Sequence, residues 1–253
     1  MNPGLSPRIL RPNGQSQFVI LCDHASKHIP AELDDLGLPL TELARHIAWD
    51  IGAAGVAEAL SSIFDAPAVF SPVSRLVIDC NRHLDAADLI PERSDGAMIP
   101  GNLDLPASAR AVRIERWFQP YHAAIEFVLD KRTAQGAPTV VLSIHSMTNN
   151  LAGSHRPWQI AFSSHEDRSL VQPVIDILRK SDDIEVGDNQ PYSMESAIDY
   201  SIPFHALRRG LPYLQVEFRQ DEVQDAQTQF RWAKRFATAL VEALPNPTLY
   251  ISL

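Results

Sequence analysis

One stretch near the start of the chain, residues 17–30, has the sequence QFVILCDHASKHIP and changes abruptly from apolar to polar. Its first part, Phe18–Cys22, is a run of branched and aromatic residues that suits a strand buried on both faces. Acids and histidines follow at once, beginning with Asp23 and His24. Because open α/β sheets bind ligands at the carboxyl ends of parallel strands, the stretch predicts an α/β fold with a functional site at this end.

Two later segments have the same design. The apolar run 139–144 leads directly into His145, and the run 212–216 leads into Glu217. If these strands are parallel neighbours of the first, their carboxyl ends meet at one edge of the sheet. Two histidines and a carboxylate at that edge would make a metal site possible.

Helix and strand patterns alternate along the rest of the chain. Apolar spacing predicts helices over 41–61 and 108–133, the second with a kink at Pro120. Further predicted elements are strands over 66–70, 76–80, 158–162 and 184–187 and helices over 170–180 and 225–244, with a long surface loop over 84–107. The alternation predicts an α/β fold whose mixed, mostly parallel sheet has helices on both faces.

Length and composition limit the domain organisation. The chain has 253 residues, 45% of them hydrophobic, which suits one domain with a substantial core. Residues 1–16 are rich in Pro, Gly and Ser, so we expect a flexible N-terminal leader there and a single catalytic α/β domain over 17–253. The oligomeric state stays open.

Charge and cysteine usage limit the partners and the compartment. The net charge of -9 argues against nucleic acid as a partner, although a few arginines can still gather in a cleft for a small anionic substrate. No stretch has the roughly 20 apolar residues that cross a bilayer, and the start lacks a signal-peptide run. Cys22 and Cys80 fall in predicted buried strands, which favours core thiols in the cytoplasm over a disulfide.

The residues His24, Asp50 and His145 could together hold a metal ion. A catalytic zinc usually has three protein ligands from histidine and carboxylate and one open position. Asp50 lies four residues after His46 in the predicted helix, so both would share a face. The alternative is that strand-end histidines and acids only cap helices or bind loop backbone. The other seven histidines are taken as structural, with His46 and His205 the strongest exceptions.

Glu217 is the natural general base of such a site. A carboxylate beside the metal can take a proton from water and pass it to a departing amine. The alternative is an ion pair with Arg219, which lies two residues on and therefore on the same side of a strand.

A second cluster, Arg75, Asn81 and Arg82, could bind a carboxylate or a developing oxyanion, because arginine offers two parallel hydrogen bonds. Surface ion pairs with Asp79 or Asp85 are the alternative. The Gly/Pro-bounded loop with Asn189 and Tyr192 could add polar contacts, or be a plain turn. Ser146 beside His145 only weakly suggests a serine hydrolase, because no G-x-S-x-G motif surrounds it.

Several stretches together resemble the N-formylglutamate amidohydrolase family over most of the chain. They are CDHASKHIP (22–30), HIAWDIGA (46–53), SRLVIDCNR (74–82), SDGAMIPGN (94–102), PYH (120–122), SIHSMT (143–148), RPW (156–158), GDNQPYS (187–193) and VEFRQD (216–221). The resemblance implies a zinc-carboxypeptidase-like, three-layer α/β/α fold. It also implies hydrolysis of an amide bond on an acidic amino acid, as in histidine degradation.

The resemblance also implies roles for single residues. His24 and His145 match the metal histidines, Glu217 matches the base, and Arg75 matches an arginine near the scissile carbonyl oxygen. Asn81 and Arg82 match the pair that holds the substrate α-carboxylate. The full set of predicted substrate-binding residues is Asn81, Arg82, Ser146, Asn189, Tyr192 and Arg219.

The chain departs from the zinc-carboxypeptidase pattern at one metal ligand. An acid is expected three residues after the first histidine, and Lys27 stands there. We therefore assign the acidic ligand to Asp50, with one Zn²⁺ per chain, or another divalent metal, as the expected cofactor.

The predicted function is a metal-dependent amidohydrolase that removes a formyl or other N-acyl group from glutamate or a similar acidic amino acid. A second hypothesis keeps the site but changes the substrate to another N-acyl amino acid or a short peptide. A third, from another class, is a carboxylate-binding protein that has lost its metal.

Overall fold

Strands and helices alternate in the computed structural model, which describes residues 5–151 and 153–244. The strands are β1 (Arg8–Leu10), β2 (Phe18–Cys22), β3 (Ala68–Phe70), β4 (Arg93–Ser94), β5 (Ala97–Met98), β6 (Val140–Met147), β7 (Asn150–Leu151), β8 (Ser154–His155), β9 (Ile160–Ser163), β10 (Val186–Asp188) and β11 (Tyr213–Arg219). The α-helices are α1 (Leu40–Leu43), α2 (Ala53–Phe64), α3 (Ala107–Arg113), α4 (Gln119–Ala134), α5 (Val171–Leu178), α6 (Ser201–His205) and α7 (Ala226–Ala243).

Seven of the strands in the described residues form one sheet, in the order β1-β3-β2-β6-β11-β9-β10. The pairs β2–β3, β2–β6, β6–β11 and β9–β10 are parallel, whereas β1–β3 and β9–β11 are antiparallel. The predicted mixed, mostly parallel sheet is therefore confirmed. The three central strands, β2, β6 and β11, run in the same direction, so their carboxyl ends meet at one edge.

Helices cover both faces of the sheet, as predicted. On β11, Leu214, Val216 and Phe218 pack in a core cluster with α2, α5 and α7. On β2, Val19 and Leu21 point to the opposite face and pack with α4 and α6. Because side chains alternate along a strand, each central strand contributes to both cores, which explains its continuous apolar sequence.

The edge of the sheet differs from the prediction in two ways. Residues 76–80 were expected to form a strand, but they form turns whose apolar side chains fill a core beneath the loops. The place beside β3 is taken instead by Arg8–Leu10, part of the expected flexible leader. An apolar run thus becomes a strand only where a neighbouring strand offers unpaired backbone groups. Residues 1–4 lie outside the described part of the chain.

The predicted helix over 41–61 is divided. Its helical parts are α1 and α2, and an irregular segment between them includes His46 and Asp50. The backbone N–H of Asp50 donates to the carbonyl of His24 at 3.0 Å, which ties this segment to the end of β2. Gly52 begins the return to helix at a φ of 83°, where a Cβ would lie 2.2 Å from the Val223 carbonyl oxygen.

The predicted helix over 108–133 runs as α3 and α4, joined by a π-helical turn at Ile114–Phe118. That turn directly precedes the first turn of α4, where Pro120 lies. Proline has no N–H to donate, so the first turn is where a helix tolerates it best. The expected kink is therefore a change of helix type before Pro120.

The segment 84–107 is not a purely surface loop. It contains the β4–β5 hairpin and buries Leu89, Ile99 and Asn102. The Asn102 side chain donates to the carbonyl oxygens of Leu76 and Pro91, both at 2.8 Å. These bonds anchor the segment beside the turns at 76–80.

Cys22 and Cys80 are buried and unpaired, as predicted. Beside Cys80 lies a pair of buried histidines on the α4/α6 face. His122 Nδ1 is 2.8 Å from His205 Nε2, and His122 Nε2 is 3.0 Å from the Cys80 carbonyl oxygen. Burial lowers the pKa of His122 to about 4 and that of His205 to about 3.

Among the described residues, no helix is both long and apolar enough to cross a membrane.

The neutral histidine pair makes the fold sensitive to acid. Below pH ~6.5 the unfolded chain takes up a proton at each histidine, while the folded chain keeps both neutral until about pH 4. As the pH falls through that window, we expect each histidine to lower the free energy of unfolding by about 1.4 kcal/mol for every pH unit. Urea unfolding at several pH values measures this slope. The variant His205→Phe should show a shallower slope, and His155→Gln, at an exposed histidine, should keep the original one.

Candidate active site

His24, Asp50 and His145 meet at the carboxyl edge of the central strands. Asp50 Oδ2 lies 3.3 Å from His24 Nδ1 and 2.9 Å from His145 Nδ1. The three ligand atoms lie within 4.8 Å of one another, and all three side chains are buried. Two imidazole nitrogens and one carboxylate oxygen suit a catalytic zinc that keeps a fourth position open. This group could therefore bind a metal.

Each of these three side chains is positioned by a different part of the structure. His24 follows the end of β2, whereas His145 lies within β6, which extends three residues beyond the predicted strand end. Asp50 is held by its own backbone bond to His24 and by the N–H of Ser146, which lies 3.3 Å from Asp50 Oδ2. The carboxylate is therefore fixed by both strands that supply the histidines.

Each histidine also faces a second buried carboxylate. His24 Nε2 lies 2.8 Å from Asp79 Oδ1, and His145 Nε2 lies 3.3 Å from Asp23 Oδ2. Asp23 in turn accepts hydrogen bonds from Tyr121 and Ser201. Carboxylates in this position fix the ring orientation of metal-binding histidines and make them stronger ligands.

Burial and charge act against each other on these groups. Burial alone would raise the pKa of the Asp23 and Asp50 carboxyls, but the hydrogen bonds and charges of the histidines lower both pKa values below their usual range. Burial would lower the pKa of His145, but the same two carboxylates raise it well above its usual value. The carboxylates therefore stay ionised at neutral pH, the form that attracts a cation.

Glu217 lies directly opposite His145 in the parallel pairing of β11 with β6. It is 8% exposed, and no described residue forms a hydrogen bond or an ion pair with its carboxylate. Burial raises the pKa of Glu217 to about 7, against the opposing positive charge of His145. The alternative ion pair with Arg219 is not formed, because Arg219 binds Asp221 and Glu222.

A cavity of about 360 Å³ lies over this cluster. All the predicted site residues line it except Asn189 and Arg219. Asn189 Oδ1 accepts hydrogen bonds from the N–H and hydroxyl of Ser164. Arg219 donates to the carbonyl oxygens of Arg156 and Pro157. Arg219 therefore supports Arg156, which lines the cavity, whereas Asn189 binds Ser164 outside the lining.

The predicted arginine cluster also lies at the cavity. Arg75 donates to Asp79 Oδ2 at 2.7 and 3.1 Å, and its Nη1 lies 3.6 Å from Asp50 Oδ1. The expected surface pair with Asp79 thus exists, but Asp79 is buried within the site. Arg82 pairs with Asp88, at 2.8 Å, instead of Asp85.

Asn81 forms hydrogen bonds with a neighbouring segment beside this cluster. Its Oδ1 accepts hydrogen bonds from the N–H groups of Tyr200 and Ser201, at the start of α6, and its Nδ2 donates to Asp199. The side chain therefore joins the segment after the turns at 76–80 to the start of α6 and to Asp199, which lines the cavity.

Lys27 is exposed and lies outside the ligand group. Its ammonium is 5.5 Å from the centre of the Trp49 ring, a cation–π distance. The acid that lies with the two histidines is Asp50, and its role as a metal ligand stays a prediction.

Comparison with known proteins identifies the family. A family model described as N-formylglutamate amidohydrolase matches residues 16–223, well over half of the chain. The chain belongs to this family.

Two solved structures have the same fold as this chain. A gene product from Agrobacterium tumefaciens is 31% identical, with a TM-score of 0.90 and coverage of 94% of each chain. The N-formylglutamate amidohydrolase from Ralstonia eutropha is 22% identical, with a TM-score of 0.68, covering 94% of this chain and 97% of that one. The second likeness shows the fold alone. A search of the curated proteins finds no match.

Sequence reasoning missed three residues of this N-formylglutamate amidohydrolase family site. Asp23 and Asp79 face the two histidines, and Arg156 lines the cavity. Asp23 directly precedes His24, and Asp79 ends an apolar run, so the strand-end pattern that found His24 also marks both acids. Arg156 belongs to the RPW stretch of the family resemblance, but that stretch gives no role for the arginine.

We expect Asp79→Asn to weaken metal binding about 10- to 100-fold, because an amide is a poorer partner for the His24 N–H than a carboxylate. Competition titration with a chromophoric zinc chelator measures the affinity. Asp130→Asn, at an exposed carboxylate that pairs with Arg209, should bind as tightly as the original protein. An unchanged affinity in Asp79→Asn would contradict the orienting role.

Proposed function

We propose that this protein is a zinc-dependent amidohydrolase that removes an N-acyl group, most simply formyl, from glutamate or a similar acidic amino acid. The observation that carries the proposal is Glu217, a buried carboxylate without a partner among the described residues, opposite His145 of a histidine–carboxylate cluster. Membership of the N-formylglutamate amidohydrolase family supports this substrate class.

The metal would be held by His24, Asp50 and His145, whose donor atoms already lie together. When bound, zinc supplies Lewis acidity to an amide carbonyl and to water. Asp79 and Asp23 keep the two imidazoles turned so that both Nδ1 atoms face Asp50. The three ligand side chains would therefore need little rearrangement to bind the ion.

Glu217 would act as the general base and then as the general acid. Its carboxylate takes a proton from the water whose oxygen attacks the acyl carbon. It returns the proton to the amine nitrogen as the C–N bond breaks, which gives formate and the free amino acid. A pKa of about 7 suits both steps, since the group can hold and release a proton near neutral pH.

Arg75 would stabilise the negative charge on the carbonyl oxygen as the carbon becomes tetrahedral. Its guanidinium is fixed by Asp79 and reaches the cluster beside Asp50. Asn81 and Arg82 would hold the α-carboxylate, and Arg82 Nη2 makes no hydrogen bond to another described residue. Ser146 and Tyr192 would add contacts from the cavity wall.

The size of the cavity separates the alternative substrates. A volume of about 360 Å³ is at the small end of ligand sites, which favours a short acyl group on one amino acid over a peptide. Glu217 has no partner among the described residues, and this disfavours a purely carboxylate-binding protein. A buried acid in the same cavity would repel a bound carboxylate. The histidine-degradation role implied by the family resemblance depends on the formyl substrate.

We expect Glu217→Gln to lower kcat for N-formyl-L-glutamate by about 100- to 10,000-fold, because the amide cannot move a proton. Zinc content should stay the same. Steady-state kinetics and elemental analysis on the same preparation make the test. Glu242→Gln, at an exposed glutamate, is the matched control, and full turnover in Glu217→Gln would reject the assigned base.

We also expect purified protein to contain about one zinc per chain and to lose hydrolysis on chelation. Adding zinc should restore it. Turnover that survives complete removal of metal would exclude the metal-dependent mechanism.

A further inference from the structure

We infer that Arg156, together with Tyr192, binds the side-chain carboxylate of the substrate and makes the site selective for dicarboxylic N-acyl amino acids. The inference rests on the proposed function and adds to it the residue that would recognise the acidic side chain. The arginines of the cavity differ in whether a carboxylate of the protein already pairs with them.

Arg156 is a buried cation that has no anionic partner in the described part of the chain. Its side chain lines the cavity, and the residue is only 6% exposed. Within residues 5–151 and 153–244, no carboxylate forms an ion pair with it, whereas Arg75 pairs with Asp79 and Arg82 pairs with Asp88. A buried charge is costly unless it is paired. An anion that enters the cavity would therefore stabilise the guanidinium of Arg156 more than those of Arg75 and Arg82.

The chemistry around Arg156 offers donors to such an anion. Its Nη2 donates to the Tyr192 hydroxyl oxygen at 2.6 Å, so the hydroxyl proton of Tyr192 points elsewhere. The guanidinium has further N–H groups, and Tyr192 lines the same cavity. Because an ionised carboxylate only accepts hydrogen bonds, it matches this pair, whereas a neutral amide brings its own N–H donors.

The pair is built into the fold on both sides. The backbone N–H of Arg156 donates to the Asn149 carbonyl at 2.9 Å, and its carbonyl accepts a bond from Arg219. The carbonyl of Tyr192 accepts a bond from Ser163 Oγ at 3.0 Å. Arg219 thereby acts as a positioning residue for Arg156, which explains its place behind the cavity wall.

Two of the three arginines in the cavity, Arg82 and Arg156, fit the two carboxylates of an N-acyl glutamate. Arg82 would take the α-carboxylate, as proposed above, and Arg156 would take the side-chain carboxylate. The acids that share the cavity wall, Glu195 and Asp199, form no ion pair with Arg156, so they do not already occupy its donors. The alternative is that Arg156 only packs on the Tyr192 ring, whose centre lies 4.9 Å away.

The test compares binding of N-formyl-L-glutamate and N-formyl-L-glutamine, which differ only in the side-chain carboxylate. Zinc-loaded protein carrying Glu217→Gln is used for calorimetry so that both ligands stay intact. We expect the glutamate form to bind at least about tenfold more tightly. Adding Arg156→Gln should weaken it about 30- to 100-fold and change binding of the glutamine form less than about threefold.

Further variants separate recognition from folding. Tyr192→Phe should reduce the preference for the glutamate form by about three- to tenfold, and Arg156→Lys should keep part of it, since the charge remains. Arg208→Gln, at an exposed arginine outside this cavity, should change nothing. Equal weakening of both ligands in Arg156→Gln, or no weakening, would overturn the inference.

Failure of the proposed function gives a different result. If the protein with Glu217 intact does not hydrolyse N-formyl-L-glutamate, while Arg156 still decides between the two ligands, the reaction is wrong and the recognition stands. If hydrolysis occurs but Arg156→Gln leaves the preference unchanged, the reaction stands and Arg156 is structural.

Discussion

The parallel pairing of β6 with β11 places His145 and Glu217 side by side, and the site depends on that register. Parallel strands are locked by evenly spaced backbone hydrogen bonds, so neither side chain can move relative to the other without breaking the centre of the sheet. A shift of β11 by one residue would turn Glu217 to the opposite face, into the apolar core under α7. The helices on both faces stabilise this register, because each face buries alternate apolar residues of the same strands.

A buried cluster of this kind stays folded only if its charges are balanced. Asp23, Asp50 and Asp79 surround two histidines, and Arg75 adds a positive charge beside them. Removing any one partner would leave an uncompensated charge away from water. Two buried side chains of the cavity form no ion pair with another described residue. Glu217 has no cationic partner and Arg156 no anionic one among the described residues, and these are the groups we assign to proton transfer and substrate recognition.

The irregular parts of the chain complete the site because they are tied to the strand ends. The segment between α1 and α2 brings Asp50 to His24 through a backbone hydrogen bond, and Ser74 joins the next segment through the Ala48 carbonyl. The Asn102 side chain holds the 84–107 segment against the same turns. These loops pack on a core of their own, which helps to hold the residues they carry in place.

The sequence by itself determined the alternation of strands and helices, the three central strands and the residues at their carboxyl ends. It could do so because apolar runs that end in acids and histidines are local signals. Only the tertiary structure decided that 76–80 forms turns while Arg8–Leu10 joins the sheet, since a strand needs a neighbour with free backbone groups. It likewise decided that Asp79 faces His24, that Arg219 lies behind the wall, and that Arg156 enters the cavity. Those relations join residues far apart in the chain, and no local pattern encodes a contact between distant segments.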